Sequence, residues 1–436
     1  MPNTGGSDVP GRLLLDLAPL RTSPAYLRFW ASGVAGGIGV QLTAVAIAIH
    51  VYELSGSTAA VALVGGLALA PMLIMGVVGG AIVDAFDRRR VLIAASSISF
   101  LSPVGIAALA WSDVTVLWPY YVFTTLSATV GALVGAARFA IHPRLVPREQ
   151  LPAVAALSGV SAGLQAAVGP ALAGLLVATV GFAWTYTIDV GLFLVGFWGI
   201  VSLPPILPET RSRVGWKAIA SGFVFLRSAG NLRTAIWLQF VFHLFGRSYA
   251  ILPAVGAVVI GGDAMSVGLL TAAGAVGVVV SGVFSGGAGR TRLHGRAIAI
   301  ATIVTGTAVS LFGLLLLLFD RIGAAATPSR PDVVALVVLC LALVVVGAAD
   351  NITGIYRTTM LQSATPDALR GRLQGVNTLV LTAGPRAGDV YAGLLAAGGI
   401  LWLPPLAGGI LIIAITILTL RLNPGFRTYD ALEPQP

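Results

Sequence analysis

The stretch VVALVVLCLALVVVGAADNITGIY, residues 333–356, decides the fold, because it is a long apolar run in which no charged residue precedes Asp350. An α-helix needs about 20 mostly apolar residues to cross a bilayer, whose core offers no water to backbone polar groups. Similar runs recur along the chain, and we place twelve of them at residues 26–51, 59–83, 91–111, 114–137, 152–180, 182–203, 233–255, 265–289, 297–319, 333–356, 373–397 and 400–420. The sequence therefore predicts an all-α polytopic membrane protein with twelve transmembrane helices.

The composition excludes a soluble domain. Of the 436 residues, 57% are hydrophobic and 10% are charged, and the mean hydropathy is +0.93, more apolar surface than one core could bury. A net charge of +9 often indicates a protein that binds nucleic acid. Here the basic residues lie between the apolar runs, so we predict no nucleic-acid partner. The single cysteine, Cys340, excludes an intramolecular disulfide, and we predict neither a metal site nor another cofactor.

Orientation follows from the arginines, because short loops rich in Lys and Arg stay on the inner side of the membrane. If the N-terminus is inside, all but four of the 26 Lys and Arg residues fall on inner segments. The exceptions are Arg321 and Arg330 in an outer segment, and Arg247 and Arg386 within predicted spans. The residues before position 26 lack the long apolar region of a signal peptide. We therefore predict a bacterial inner-membrane protein with both termini in the cytoplasm.

The longest connection between runs, residues 204–232, lies near the middle of the chain and joins three prolines to a basic amphipathic stretch. A weak repeat also indicates two halves, since Arg138 precedes Pro147 by nine residues and Arg357 precedes Pro366 by nine. Parallel halves are a common transporter architecture. We predict a tail at 1–25, a six-helix bundle at 26–203, a linker at 204–232, a second, pseudo-symmetric bundle at 233–420 and a tail at 421–436.

The segment GGAIVDAFDRRR, residues 79–90, follows the second run and forms the strongest local motif. Acidic and basic residues together at an inner helix end can hold two helices in one state and release them in another. The gate residues that we predict are Gly80, Asp84, Asp87, Arg88, Arg89 and, as a partner at the end of the fourth helix, Arg138. The alternative is a basic anchor with incidental acids.

This segment resembles the cytoplasmic signature of the major facilitator superfamily, in which a glycine, an aspartate and terminal arginines stand at fixed spacing. Gly80, Asp84 and the arginines at 88 and 89 match it, whereas Ala85 and Asp87 depart from it. GPALAG, residues 169–174, is similar to the helix-5 motif of antiporters and exporters in that superfamily. The resemblance implies that Gly169, Pro170 and Gly174 kink and pack this helix; simple packing is the alternative.

Three further segments are more distinctive: RFAIHPRLVPREQL at 138–151, TPDALRGRLQGVN at 365–377 and GPRAGD at 384–389. They resemble the bacterial subgroup of siderophore and drug-efflux permeases that includes the enterobactin exporter, and the resemblance covers residues 13–420. It implies proton-coupled export of a siderophore or a hydrophobic drug.

Ionisable side chains inside spans cost about 3 kcal/mol each on insertion scales, so each needs a partner or a water-filled cavity. Asp189, Asp350, Arg386 and Asp389 are our candidates for proton coupling, because a carboxylate near a cation can alternate between charged and neutral forms. Arg386 and Asp389 are three residues apart and are predicted to pair on one helical face. For Asp189 and Asp350 a structural role is the alternative.

Other polar residues within spans are predicted to line a substrate cavity. They are Gln41, Gln165, Gln239, His243, Arg247 and Asn377. His243 and Arg247 are spaced for one helical face, where they could bind an anionic substrate; alternatively, Arg247 pairs with Asp189 or Asp389. So few polar groups favour amphipathic or aromatic cargo over sugars.

A secondary active exporter with alternating access is therefore the leading hypothesis. Its predicted partners are a small-molecule substrate, protons and membrane lipid, and its predicted working unit is a monomer. An uncoupled facilitator or lipid flippase stays open, because a sequence does not show which acid titrates. A membrane-embedded lipid-processing enzyme would need clustered acids or histidines, but the four histidines are scattered and show no metal-ligand spacing. The chain has no P-loop motif, and we predict no enzymatic activity.

Overall fold

The computed structural model describes residues 16–204, 206, 224–284, 291–322 and 331–433. These residues form helices and no β-strand, and the only bridge among them pairs Leu293 with Asp430. The long helices are α1 Pro24–Ser55, α2 Thr58–Ala85, α3 Arg88–Trp111, α4 Trp118–Ile141, α5 Leu151–Val201, α6 Gly230–Gly246, α7 Ala264–Val283, α8 His294–Ile322, α9 Val333–Ser363, α10 Asp367–Leu395 and α11 Leu403–Leu422. The predicted all-α fold is confirmed.

Ten helical segments of the described residues are long and apolar enough to cross a membrane. The predicted eleventh run, 373–397, lies in α10, which is not one of the ten because polar side chains interrupt its apolar surface. The predicted runs 152–180 and 182–203 both lie in α5. The number twelve therefore stays a prediction. Most of the predicted linker, residues 205 and 207–223, lies outside the described residues.

Helix α5 contains a reversal of chain direction at Gly181, whose φ of 79° and ψ of 176° are not helical. A positive φ of this kind is readily adopted only by glycine. On both sides of Gly181 the helix packs along α1; the neighbours are Gln165 with Gly33, Gly169 with Ile38, Gly196 with Ser32, and Gly199 with Arg28. The part before Gly181 therefore runs in the same direction as α1, and the part after it runs in the opposite direction.

The predicted span 233–255 lies within a single segment, Gly230–Ile260, that is long and apolar enough to cross a membrane, but its helix is interrupted, because α6 ends at Gly246. Arg247 has non-helical dihedral angles (φ −103°, ψ 88°). A 3₁₀ turn at Tyr249–Ile251 and a π-helix at Val255–Ile260 follow. Because Arg247 is the C-cap residue, only His243 of the predicted pair lies within helix α6.

The helices form two groups, α1–α5 and α6–α11, that meet where α5 packs on α7 and α2 packs on α10. The largest cluster of buried apolar side chains contains residues of both groups, among them Val61, Ala62, Ala173, Val267 and Ala392. We call this region the closed end. The two clusters near the opposite helix ends each lie within one group. We call that region the basic end, because it carries Arg88, Arg138 and Arg292.

Glycines allow the two groups to touch at the closed end. A Cβ atom at Gly268 of α7 would lie 2.7 Å from the carbonyl oxygen of Pro170 and 2.8 Å from the Cα of Gly174, both in α5. On the other side of the closed end, the hydroxyl of Thr58 donates a hydrogen bond of 3.0 Å to the carbonyl oxygen of Gly393. Backbone thus meets backbone between the groups, which leaves no room for larger side chains.

Candidate functional site

A cavity of about 570 Å³, which we call the large cavity, lies within the first group of helices. Arg386 of α10 also contributes to its wall. Its lining is mostly apolar, with glycines, serines and the aromatic rings of Phe29, Trp30, Phe193 and Phe197. Gln41 and Gln165, both predicted, line it. The titratable side chains of the described lining are Arg138, His142 and Arg386, with no carboxylate among them. Such a cavity suits an amphipathic or aromatic molecule that carries no positive charge.

Arg138 lies near the basic end of this cavity, against α1. Its guanidinium carbon is 5.1 Å from the centre of the Phe29 ring, and Nη2 donates a hydrogen bond of 3.3 Å to the Ser32 hydroxyl. His142 follows helix α4 and packs edge-on against Phe29, with ring centres 5.0 Å apart. Burial and the positive charge of Arg138 lower the pKa of His142 to about 4, so this imidazole is neutral at physiological pH.

A second cavity, of about 320 Å³, lies between the two groups and shares Gln41 and Ala162 with the first. Arg247, Tyr249 and Asp350 line it. Arg247 donates a hydrogen bond of 3.2 Å to the Tyr249 hydroxyl and lies over that ring at 5.1 Å. The predicted alternative, an ion pair of Arg247 with Asp189 or Asp389, is wrong, because the one ion pair among the described side chains joins Arg90 and Asp87.

Gln239 and His243 lie behind this second cavity and line neither cavity. Both are almost fully buried, and Nδ1 of His243 lies 2.6 Å from Nε2 of Gln239. Nε2 of Gln239 also donates a hydrogen bond of 3.5 Å to Asp350. The two residues therefore connect to the cavity through Asp350. Asn377 is buried as well and lines neither cavity.

Asp189 is a buried carboxylate in the second part of α5. Its Oδ2 accepts a hydrogen bond of 2.5 Å from the hydroxyl of Thr43, and Thr43 lines the large cavity. No described cation lies within ion-pair distance of this carboxylate. Asp189 is therefore one hydrogen bond away from the cavity wall, in a place where a proton could neutralise it.

Asp389 and Arg386 do not form the predicted ion pair, although both face α2. A Cβ atom at Gly65 would lie 3.1 Å from Cδ of Arg386 and 3.5 Å from Oδ2 of Asp389. The other carboxylate oxygen, Oδ1, accepts a hydrogen bond of 3.2 Å from the backbone N–H of Ala250. That bond holds the carboxylate against the interruption after α6, while Arg386 extends into the large cavity.

The motif at 79–90 ties helix ends together at the basic end. Asp87 caps α3 by accepting from the N–H of Arg89 at 2.9 Å and also accepts from the N–H of Ile206 at 3.3 Å. Arg88 and Arg89 donate bonds of 2.8 Å to the carbonyl oxygens of Ala140 and Val201, at the C-terminal ends of α4 and α5. These carbonyls carry the negative end of the helix dipole. Gly80 has open space around it, and the side chain of Asp84 lies outside the described residues.

This capping predicts a stability effect. Replacing Asp87→Ala removes the acceptor for the N–H of Arg89, so we expect the free energy of unfolding to fall by about 1 kcal/mol. Asp87→Asn is the matched control, because asparagine caps helices as well as aspartate does. Thermal unfolding of the purified protein in detergent measures both, and equal loss in the two variants would contradict the capping role.

The helix-5 motif has two contact faces. A Cβ atom at Gly169 would lie 3.1 Å from the carbonyl oxygen of Ile38 in α1, and one at Gly174 would lie 2.9 Å from the Cα of Gly268 in α7. Pro170 lies inside the helix between them. These residues therefore hold α5 close to one helix of its own group and one helix of the other.

Several residues of the site were missed from sequence. Thr43 is an isolated hydroxyl in an apolar run, and only its hydrogen bond to Asp189 gives it significance. Phe29 and Trp30 resemble ordinary apolar span residues, yet both line the large cavity. Tyr249 follows the break after α6, which the apolar pattern conceals.

Comparison with known sequences gives consistent matches along nearly the whole chain. A family model described as a transmembrane secretion effector, MFS_3, matches residues 15–434. The enterobactin exporter EntS of Shigella boydii is 26% identical over 434 residues, which cover 97% of each chain. EntS of Citrobacter koseri is 26% identical over 385 residues, 88% of each chain.

Solved structures share the fold at low sequence identity. The transporter PepTSo of the POT family has a TM-score of 0.72 at 12% identity and covers 94% of this chain and 99% of its own. The xylose transporter XylE of E. coli, in an inward-open conformation, has a TM-score of 0.64 at 11% identity, with 91% and 95% covered. The major facilitator fold of these transporters is therefore also the fold of this chain.

Proposed function

The chain belongs to the transmembrane secretion effector family of the major facilitator superfamily, and from this premise we propose that it is a proton-coupled exporter of a siderophore or similar amphipathic aromatic molecule. It is a multi-pass membrane transporter of a small molecule and not an enzyme. The direction, the coupling and the cargo are the proposed part. The relatives named as enterobactin exporters support export.

The observation that carries the cargo proposal is the charge of the large cavity. Arg138 and Arg386 line it without any carboxylate among its described lining residues. A desolvated cation attracts anions and repels cations. Aromatic rings beside the arginines offer stacking surfaces. This combination favours a neutral or anionic aromatic cargo, such as a catecholate siderophore, over the cationic dyes that many drug exporters carry.

Proton coupling is supported by the positions of the three acids predicted for it. Asp189 is bonded to Thr43 on the wall of the large cavity, and Asp350 lines the second. Asp389 lies beside Gly65, at the contact between α2 and α10. An acid at a contact between moving groups can couple its protonation to their separation.

The working cycle that we propose is a rocking of the α1–α5 and α6–α11 groups about the cavities. The groups correspond to the halves proposed from sequence at 26–203 and 233–420. Placement in the inner membrane, with both termini in the cytoplasm and a monomer as the working unit, is part of the proposal. The positive-inside rule supports this orientation.

The test uses everted membrane vesicles from a strain without its own exporters. We expect an acid interior to drive uptake of a catecholate siderophore but not of ethidium, a cationic dye. Arg138→Gln should raise the KM for the siderophore about tenfold, because a charge-assisted hydrogen bond contributes about 1.5–3 kcal/mol. Arg421→Gln, an exposed arginine outside both cavities, is the matched control.

Two results would contradict the proposal. Uptake of ethidium without uptake of siderophore would reverse the cargo assignment. Siderophore uptake that persists after collapse of the proton gradient would indicate an uncoupled facilitator or flippase instead of a proton-coupled exporter.

A further inference from the structure

A groove of about 800 Å³ lies at the basic end between α8 and α9, and none of its lining residues belongs to the two cavities. Arg292 and Arg296 lie at its polar rim together with Asp430, and Ile300, Val304 and Ile352 belong to its apolar part. Neither predicted gate nor predicted cavity residues take part in it. The groove is therefore separate from the cavities to which the proposed transport function is assigned.

The groove joins a charged rim to an apolar surface along the helix axes. Arg296, Ile300 and Val304 are spaced four residues apart on α8, so they form one stripe. Ile300 is 53% exposed, Val304 42% and Ile352 38%. These side chains belong to helices that are apolar enough to cross the membrane, so their exposed surface faces lipid. The stripe thus runs from the helix end into the hydrocarbon layer.

The rim carries positive charge without direct compensation. Neither Arg292 nor Arg296 forms an ion pair with any described carboxylate. Arg296 also lies in the first turn of α8, where the helix dipole disfavours a cation. An anion at this position would interact favourably with both arginines and with the helix N-terminus.

Asp430 is the one carboxylate of the described groove lining. Its Oδ1 accepts a hydrogen bond of 2.9 Å from the N–H of Leu432, and its backbone bridges to Leu293. The C-terminal segment is thereby held beside the groove, where Phe426 and Tyr429 are buried. With two arginines against one aspartate, the rim keeps a net positive charge.

We propose that this groove binds an anionic phospholipid from the adjoining leaflet. The lipid phosphate lies between Arg292 and Arg296, and one acyl chain lies along Ile300, Val304 and Ile352. Basic pockets between transmembrane helices recognise anionic headgroups in this way. Arginines that only anchor the chain by the positive-inside rule would need no apolar stripe beneath them.

The test is native mass spectrometry of the purified full chain, titrated with phosphatidylglycerol or with phosphatidylethanolamine of the same acyl chains. We expect tighter binding of phosphatidylglycerol. The double variant Arg292→Gln with Arg296→Gln should weaken that binding about thirtyfold, since each basic residue contributes about 1 kcal/mol near an anionic surface. The matched control, Arg421→Gln with Arg427→Gln, removes two exposed arginines outside the groove and should change nothing.

Two further experiments distinguish recognition of the acyl chain from recognition of the phosphate. Ile352→Trp fills the apolar part without changing charge and should weaken phosphatidylglycerol binding, whereas inorganic phosphate should not compete. Thermal unfolding without lipid checks that every variant is folded. Equal affinity for the two lipids, equal loss in the control variant, or competition by inorganic phosphate would each overturn the proposal.

Discussion

Replacing Asp389→Asn is expected to abolish proton-driven accumulation of cargo. With a gradient of one pH unit, coupling to one proton supports about tenfold accumulation, and the variant should show none. Asparagine has nearly the same shape and can still accept from the N–H of Ala250, but it cannot bind and release a proton at the contact with Gly65. The contact between the two groups of helices should therefore form normally, but it should no longer depend on the proton gradient.

The measurement compares uptake into everted vesicles, with and without an acid interior, with cargo exchange in the absence of any gradient. Exchange should persist in the Asp389→Asn variant, which shows that the protein is folded and binds cargo. Asp263→Asn is the matched control, because Asp263 caps α7 outside the cavities and asparagine keeps that cap. Full gradient-driven uptake in the Asp389 variant would refute its coupling role, and the same experiment on Asp189→Asn then identifies whether that acid carries it.

The second large effect is expected from Gly268→Leu, which should stop transport by preventing the closed end from forming. Even a Cβ atom at this position would lie 2.7 Å from the carbonyl oxygen of Pro170, so α5 and α7 must separate. Overpacking costs about 1–3 kcal/mol, which shifts a two-state equilibrium about 5- to 150-fold. Gly191→Leu is the control, because Gly191 lies in α5, the partner helix of α7 in this contact, and has open space around it.

The chain offers a direct readout of this opening. With its one cysteine replaced by Cys340→Ser, Ala62→Cys places a single thiol in the contact between α2 and α10, where Ala62 is 2% exposed. A membrane-impermeant maleimide should label this thiol faster in the Gly268→Leu variant than in the wild type or the Gly191→Leu control. Unchanged labelling together with normal transport would show that the α5–α7 contact does not limit the cycle.

The fold was predictable because apolar run length reports directly on membrane crossing. The boundary between the runs 152–180 and 182–203 falls where Gly181 leaves the helical conformation. The end of α6 was not predictable in the same way, because apolar residues continue beyond Gly246. Hydropathy measures solvent preference and does not report where backbone hydrogen bonds stop.

The candidate site was predictable in residue type but not in pairing. Gln41 and Gln165 were selected as polar residues within apolar runs and line the large cavity, and Arg138, selected as a partner of the gate motif, lines the same cavity. The i, i+3 spacing predicted an ion pair between Arg386 and Asp389, yet the N–H of Ala250 holds one oxygen of that carboxylate instead. Local spacing does not show which distant backbone group will compete for a side chain.

The reversal at Gly181 has a consequence for biogenesis. A single residue separates two long antiparallel helical segments, so the ribosome delivers no hydrophilic loop between them for translocation. We therefore expect the two segments to enter the bilayer together as a helical hairpin, and we expect a tag or reporter domain inserted at this bend to impede that coupled insertion.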